Sequence, residues 1–317
     1  MTSKTPETSS TESTSILLGA GLITAGFLAN TLQGALGKIA QERIAAGQFL
    51  WILLLIALAV LSPVVLWKGT EEIKAGWNKP IRLLYLTRAI FGLCGFYLFV
   101  WAAGLGSLID ATVLLNTTPI FIPLIGVLIL NQQISLKLWG AIALGFLGLL
   151  LVVQPNTELL QNPANLIGLG AGLSAAAEFL IVRQLGQNDQ SPLAQTFYYL
   201  AIGSVLMAPI AIWQWSELTL DSLQIISAAA GLFLTFQLLL VKAYSFAEPY
   251  QIGAFQYSSV IFAAIIGWLF FNEFPNAIAL AGMLLICIGG ALSIYIGIPS
   301  NNSETPETPK KTTTADS

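Results

Sequence analysis

The stretch "IFIPLIGVLILN", residues 120–131, returns as "IFAAIIGWLFFN" at residues 261–272. Aligned without a gap, Ile120, Phe121, Ile125, Gly126, Leu128 and Asn131 fall on Ile261, Phe262, Ile266, Gly267, Leu269 and Asn272. The register holds further on, where Leu144, Gly148 and Leu151 fall on Leu285, Gly289 and Leu292. A second echo lies nearer the start: "GAGL" at 19–22 recurs at 170–173. Apolar segments match one another easily, so either echo alone is weak. Two echoes in the same order mark an internal duplication.

Composition names the solvent of this chain. Hydrophobic residues make up 56% of it and charged residues 9%, with a mean hydropathy of +0.77. A soluble domain carries about 25% charged residues. Too little polar surface remains to cover a globule of this size, so the natural solvent is a bilayer. The net charge of −3 and the lack of a basic patch predict no nucleic-acid partner. There is no histidine, which removes His-ligated metals, Ser-His-Asp triads and Cys-His dyads. No metal site, no cofactor and no enzyme activity are expected. Cys94 and Cys287 lie in separate apolar runs and read as buried, inert thiols.

A membrane helix needs about 20 apolar residues to cross about 30 Å of hydrocarbon. Ten candidates satisfy this: 15–37, 46–67, 82–103, 108–130, 134–153, 165–185, 193–213, 221–244, 249–271 and 276–297. The breaks between them carry turn residues, as in "QPNTELLQNPAN" (154–165) and "RQLGQNDQSP" (183–192). The expected fold is an all-α integral membrane protein of ten transmembrane helices in two inverted five-helix repeats, 15–153 and 165–297. The polar ends, 1–14 and 298–317, read as disordered cytoplasmic tails, and the first of them lacks the features of a secretory signal.

Lysines and arginines orient the spans. Lys4, Lys68, Lys74, Lys79, Arg82, Lys137, Lys242, Lys310 and Lys311 fall on the side of the N-terminus, with Arg88 and Arg183 near it. Only Lys38 and Arg43 fall opposite. Both termini are therefore expected in the cytoplasm. Five spans per copy is an odd number, so the second copy crosses in the opposite sense. Inverted repeats are a common build of secondary transporters, because two near-equivalent halves supply two similar states open to opposite sides.

The segments "LTRAIFGLCGFYLFVWAAGLGSLIDATVLLNTTPIFIPLIGVLILNQ" (86–132), "LWGAIALGFLGLLLVVQP" (138–155), "KAYSFAEPYQIGAFQYSSVIFAAIIGWLFFNEFPN" (242–276) and "AGMLLICIGG" (281–290) carry a resemblance. The chain resembles the drug/metabolite transporter superfamily, EamA-type, over nearly its whole membrane part. The resemblance implies a ten-helix permease for small metabolites, often an exporter of amino acids or related compounds. It implies a multi-pass protein of the bacterial inner, or plasma, membrane. Many members carry Glu at the ends of both the fourth and the ninth helix. Here the second copy has Glu273 and the first has Gln132.

Several residues are candidates for function. A charge at bilayer depth costs about 2.5–3.5 kcal/mol on insertion scales and needs a reason. Glu178 lies well inside the sixth span, behind a face of Ala175, Ser174, Ala171 and Gly170 that suits close packing or an aqueous cavity. Arg88 lies about two turns into the third span, with Gly92 and Gly95 along its face. The two form a buried ion pair, or an anion-attracting Arg beside a protonatable Glu that couples transport to protons. The alternative for each is a side chain reaching to the cytoplasmic interface. Asn116, Thr117, Thr118 and Pro119 correspond to Tyr257, Ser258, Ser259 and Val260, with Gln256 adjacent. Polar groups at mid-membrane face protein or a cavity, so Asn116, Thr117, Thr118, Gln256, Tyr257 and Ser258, with Arg88 and Glu178, are expected to line the substrate path. Asn30, Gln33, Gln48, Tyr97, Trp101 and Gln237 are weaker candidates, and Trp67, Trp77, Trp213 and Trp215 read as interfacial anchors. Glu273 and Gln132 read first as turn or cap residues. The sharper reading makes Glu273 an outer gate paired with Lys38 or Arg43.

The expected function is secondary transport of a small polar metabolite by alternating access around a central polar cavity. The runner-up among carriers is uptake of a larger, cofactor-like metabolite. From another class, a non-transporting receptor or scaffold stays open. Membrane lipid is the expected surround. A homodimer is compatible with the pattern, because lipid-facing and interface residues are both apolar.

Overall fold

The computed structural model describes residues 6–41, 43–68, 73, 79–105, 114–129, 131, 133–154, 163–271 and 276–297. The described residues are helical, with short turns and connections between the helices. In chain order they form α1 (Pro6–Gln41), α2 (Ala46–Lys68), α3 (Lys79–Leu105), α4 (Thr118–Leu128) and α5 (Leu136–Val153). The second set is α6 (Pro163–Gln187), α7 (Pro192–Trp213), α8 (Leu220–Phe246), α9 (Ser258–Phe271) and α10 (Ala277–Gly297). Six of them, α1, α2, α3, α6, α7 and α8, are long and apolar enough to cross a bilayer, while α4, α5 and α10 are shorter apolar helices. The helix α1 begins at Pro6, inside the stretch expected as a tail.

Side-chain oxygens define where these helices start. Ser135, Ser191 and Thr219 accept hydrogen bonds from the backbone N–H groups of Leu138, Ala194 and Ser222, and Asn276 accepts one from Ala279. Each satisfies a donor that the helix leaves unpaired, a cost that is high away from water. At the far ends the chain turns through left-handed residues: Asn131 (φ 52°), Gln154 (φ 48°) and Asp189 (φ 58°). Asn131 belongs to the repeated motif. Gln132 and Glu273 lie outside the described residues. Arg43, one proposed partner of Glu273, lies 3.5 Å from Asp221, with both side chains largely exposed.

The helices pair in a pattern that reflects the duplication. The largest contacts are α1 with α8, α3 with α6, α2 with α7, and α5 with α10. Replacing each helix by the one five places away exchanges the first two pairs and returns the last two to themselves. This is what a two-fold relation between the halves produces. The α5–α10 seam shows it atom by atom. A Cβ on Gly148 would meet the Gly282 oxygen at 2.6 Å and the Ile286 nitrogen at 2.8 Å. A Cβ on Gly289, the repeat mate of Gly148, would meet the Ala141 oxygen at 2.9 Å and the Gly145 nitrogen at 2.8 Å. In lipid, helix association rests on such close packing, because the bilayer offers no hydrophobic drive between helices. The outer surface is correspondingly apolar, with Leu66, Leu166, Val205, Ile212 and Leu284 all well exposed.

Two segments break the helical pattern, and they are repeat mates. Asn116 and Thr117 form a turn before α4. In the second copy a single helical turn (Pro249–Ile252) and a 3₁₀ turn (Gly253–Tyr257) precede α9, where one continuous span was expected. Cys94 and Cys287 are unpaired, as expected, but both are exposed on the outer surface instead of buried. The turns that carry Cys94 and Cys287 are apolar, so hydropathy does not mark their inner face.

Replacing Gly148 by Ala is expected to force α5 and α10 apart and to destabilise the fold by about 1–3 kcal/mol, an overpacking cost. Gly140→Ala is the control, since a Cβ there meets nothing within 4 Å. Unfolding in detergent micelles, followed by fluorescence, checks the difference.

Candidate functional site

The Arg88 side chain is fully buried, and three helices from the other half receive it. Nη1 donates to the Gln195 carbonyl of α7 at 2.7 Å. Nη2 donates to Gln237 Oε1 of α8 at 2.9 Å. Nε faces Glu178 Oε1 of α6 at 3.8 Å. The guanidinium carbon also lies 4.9 Å from the centre of the Tyr199 ring, which offers its electron-rich face to the charge. The ion-pair reading therefore holds in its geometry. Reaching to the interface is corrected for both residues: Arg88 is 0% and Glu178 7% exposed. Polar partners at depth hold the charges there, so neither has reason to seek water.

Helical spacing assembles this site. Tyr85, Arg88 and Gly92 follow at i, i+3 and i+7 along one face of α3. Ala171, Ser174 and Glu178 follow in the same way on α6, and all three are buried. Gly92 makes the room: a Cβ there would sit 2.8 Å from the Glu178 carboxyl carbon and 2.8 Å from the Tyr199 ring. Tyr85 continues the layer outward, its hydroxyl bonded to Gln190 Oε1 at 2.8 Å beside the α6–α7 turn.

The pair is bonded incompletely. Arg88 Nε and Glu178 Oε1 are buried without a hydrogen-bond partner among the described residues. A separation of 3.8 Å is an ion-pair distance and exceeds a hydrogen bond. Gln195 Oε1 and Thr196 Oγ1, on the same turn of α7, are likewise buried and unpaired.

The repeat supplies an internal comparison. Aligning the two "GAGL" stretches puts Phe27 of α1 opposite Glu178 of α6. Phe27 is buried against Phe236 of α8, ring centroids 5.5 Å apart. Of the two repeat-related crossings between the halves, α1–α8 is thus apolar here and α3–α6 is ionic.

A second ion pair lies at the same end of the bundle. Arg183 of α6 donates through Nε (2.9 Å) and Nη2 (2.6 Å) to Glu248 Oε1, and through Nη1 to the Tyr244 carbonyl at 2.7 Å. Glu248 also caps the helical turn that starts at Pro249, in a capping box with Gln251. One arginine thus ties the end of α8 and the entry to α9 onto α6. The sequence carries a signal for this, Glu-Pro-x-Gln at 248–251, which resembles a capping box opening on Pro. Arg183 served above only to orient the chain.

The mid-membrane polar residues divide. Thr117 Oγ1 bonds the Leu114 carbonyl. Thr118 Oγ1 bonds the Leu115 and Gly172 carbonyls, and Ser258 Oγ bonds the Phe255 carbonyl. The Thr117 and Ser258 hydroxyls serve their own turns, while Thr118 also reaches across to α6. Gln256 Oε1 and the Tyr257 hydroxyl are buried without partners among the described residues, and the Tyr257 ring rests on Gly145 of α5. The broken segments meet where Gly253 approaches Ile122 and Pro119. Asn116 is buried beside them in sequence. Among the weaker candidates, Gln237 joins Arg88, while Gln48 is spent on Ser216 at the opposite end. Gln33 is buried, Asn30 is half-buried, and Tyr97 and Trp101 face outward. Trp67, Trp213 and Trp215 are exposed as anchors should be, and Trp77 lies outside the described residues.

Replacing Glu178 by Leu leaves a buried, uncompensated guanidinium and is expected to cost about 3–5 kcal/mol. Adding Arg88→Met should restore most of that loss. A double-mutant cycle of unfolding midpoints in detergent reads the coupling, and simple additivity would show that the two side chains do not depend on each other.

The model of the EamA-like transporter family matches this chain twice, over residues 17–154 and 162–295. An S-adenosylmethionine uptake transporter of Rickettsia bellii is 24% identical over 280 residues, covering 88% of this chain and 94% of the relative. A pseudopaline exporter of Pseudomonas aeruginosa is 26% identical over 209 residues, 65% of this chain and 72% of the relative. A riboflavin transporter of Vibrio cholerae is 24% identical over 242 residues, 74% of this chain and 78% of the relative. One solved crystal structure shares the fold, with a TM-score of 0.72 at 17% identity, over 90% of this chain and 98% of that one. The two family matches fall on the two halves of the duplication, and the chain belongs to the EamA-like transporter family, in the drug/metabolite transporter superfamily.

Proposed function

We propose that this multi-pass membrane protein is a secondary carrier for a small polar metabolite, working by alternating access. In this reading ten spans form two inverted halves, both termini face the cytoplasm, and the halves rock about the α5–α10 and α2–α7 seams. One observation carries the reading: at one end of the bundle Arg88 of the first half donates to α7 and α8 of the second and faces Glu178 of α6 at ion-pair distance. Such a cross-half clamp has to break for that end to open. The positive-inside bias makes it the cytoplasmic end.

Glu178 gives the clamp a chemical trigger. A proton on its carboxyl removes the attraction to Arg88 and loosens the α3–α6 crossing. An apolar crossing such as Phe27–Phe236 has no such response. Among the described residues, the α3–α6 crossing thus offers a point of proton coupling that the Phe27–Phe236 contact lacks. The named relatives include uptake and export proteins, and the uptake relatives favour a second reading, import of a larger cofactor-like metabolite. The same clamp serves either direction, since the gradients set the direction.

The test is efflux from proteoliposomes loaded with mixed amino acids, nucleosides and vitamins, read by mass spectrometry against protein-free vesicles. Selective, saturable loss of one class is expected, and a wild-type rate that responds to an imposed pH gradient. Glu178→Gln should keep some flux and lose the pH response. A flux independent of pH in both proteins would end the coupling role, and no flux under any gradient would count against the carrier itself.

A further inference from the structure

We propose that residues 253–257 are a winding switch: they pass between the 3₁₀ turn described above and α-helix, and the exchange shifts and turns α9 while the chain at Glu248 stays fixed. This deepens the carrier reading and rests on it for a use in transport; the change of winding itself does not.

The two repeat-related breaks have different causes. In the first copy a proline fixes the break. Pro119 has no N–H, and its ring excludes the carbonyl of Leu115, four residues back. Thr118 Oγ1 donates to that carbonyl at 2.6 Å and answers it. In the second copy Val260 stands in the place of Pro119. No proline or glycine lies between Ala254 and Ile266, so nothing in this stretch forbids an α-helix running from Pro249 into α9. Yet Gly253–Tyr257 is wound as a 3₁₀ helix. Runs longer than about four residues are uncommon for that winding, and within a helix they often mark a hinge.

Contacts with other helices hold the tight winding. The Phe255 ring lies over Gly290 of α10, where a Cβ would sit 3.4 Å from it. The Tyr257 ring lies over Gly145 of α5, where a Cβ would sit 2.8 Å from it. Gly253 faces Ile122 of α4. In this state Gln256 Oε1 and the Tyr257 hydroxyl are buried without partners among the described residues. Stranded polar atoms destabilise the winding that holds them, which narrows its margin over α-helix.

The cytoplasmic end of the segment is tied down. Glu248 caps the turn Pro249–Ile252, Arg183 of α6 holds Glu248 through Nε and Nη2, and Ser293 of α10 donates to the Gln251 carbonyl at 2.6 Å. A change of winding therefore travels outward into α9. A 3₁₀ helix rises about 2.0 Å per residue at about 3 residues per turn, against about 1.5 Å and about 3.6 in an α-helix. Over the 5 residues of this turn, conversion to α draws α9 about 2.5 Å toward the tied end and rotates it by about 100°. α9 meets α1 of the first half where Thr31 Oγ1 lies 3.5 Å from the Ser259 carbonyl, so the rotation alters a contact between the halves.

Val260→Pro copies the first half. It forbids the α winding and suits the present one, because the carbonyl it would strand, that of Gln256, already accepts from Ser259 Oγ at 2.7 Å. The full chain, with Cys94 and Cys287 replaced, carries spin labels at Leu269 and Trp213, both exposed. Phe255→Ala with Tyr257→Ala removes the two rings and puts the best helix former in their place. In detergent this variant is expected to show a second distance population, with the Leu269 label displaced by up to about 8 Å, the chord of a turn of about 100° at the helix surface. Adding Val260→Pro should reduce that population about a hundredfold, the effect of a proline inside an α-helix. In proteoliposomes Val260→Pro should lose flux, while Val260→Ala, which keeps the N–H, retains it.

Three results overturn the proposal: a single, unchanged distance once the rings are removed; a second population that Val260→Pro leaves in place; or flux in Val260→Pro equal to that in Val260→Ala. Should the proline variant fail to fold, the first result decides alone. No flux in the parent protein ends the carrier reading, and the distances still decide the winding. Normal flux with a single distance does the opposite.

Discussion

A guanidinium sealed from solvent inside a membrane bundle has to be met by polar groups from its neighbours. Arg88 meets that demand with a backbone carbonyl from α7, a side-chain amide from α8 and a carboxylate from α6. The demand reaches back into the sequence. Gly92 has to be small so that Glu178 fits, and Gln237 has to stand in an otherwise apolar helix. Tyr199 supplies a ring face where an aliphatic side chain would offer nothing to the charge. Four helices are thereby held at one end of the bundle by electrostatics, while the rest of the bundle is held by shape.

Shape dominates elsewhere. The α5–α10 seam rests on glycines whose backbones touch, and it looks the same from either half. A seam of this kind has no charge to break, so it suits an axis better than a gate. The Arg183–Glu248 pair adds a second, half-shielded tie, and its geometry joins α6 to the hinge between α8 and α9. The break in the helix before α9 therefore has one end anchored and the other running into a continuous helix. A rocking movement of the halves concentrates backbone change at such breaks.

Much of this was legible in one dimension. The duplication, the helical class and the two buried charges are all written as departures from an apolar background, and a charge in such a background stands out. A further repeat signal, "SPVVLW" (62–67) against "APIAIW" (208–213), sits at the ends of α2 and α7 and places Pro63 and Trp67 opposite Pro209 and Trp213. What was not legible is partnership. Gln195 and Gln237 gain their role from helices brought together by tertiary packing, and nothing near them in sequence announces it. Depth was ambiguous for the same reason. A charge two turns into a span reaches the interface or stays buried according to what its neighbours offer. The local bonds of Thr117, Thr118 and Ser258 follow from hydroxyls three residues from a carbonyl, whereas the Thr118 bond to α6 came only with the tertiary packing. The outward faces of Cys94 and Cys287 were hidden because the apolar turns around them carry no periodicity to read.

The central claim is that the Arg88–Glu178 pair holds one end of the bundle closed. The most direct measurement is a distance distribution between spin labels at Trp67 and Asn188, on the two halves at that end. Both positions are exposed, and the two native cysteines are replaced first. The account predicts a single short distance in the parent protein and a second, longer population once Arg88→Met and Glu178→Leu are introduced together, with the opposite end unchanged. An identical distribution in the two proteins would contradict it.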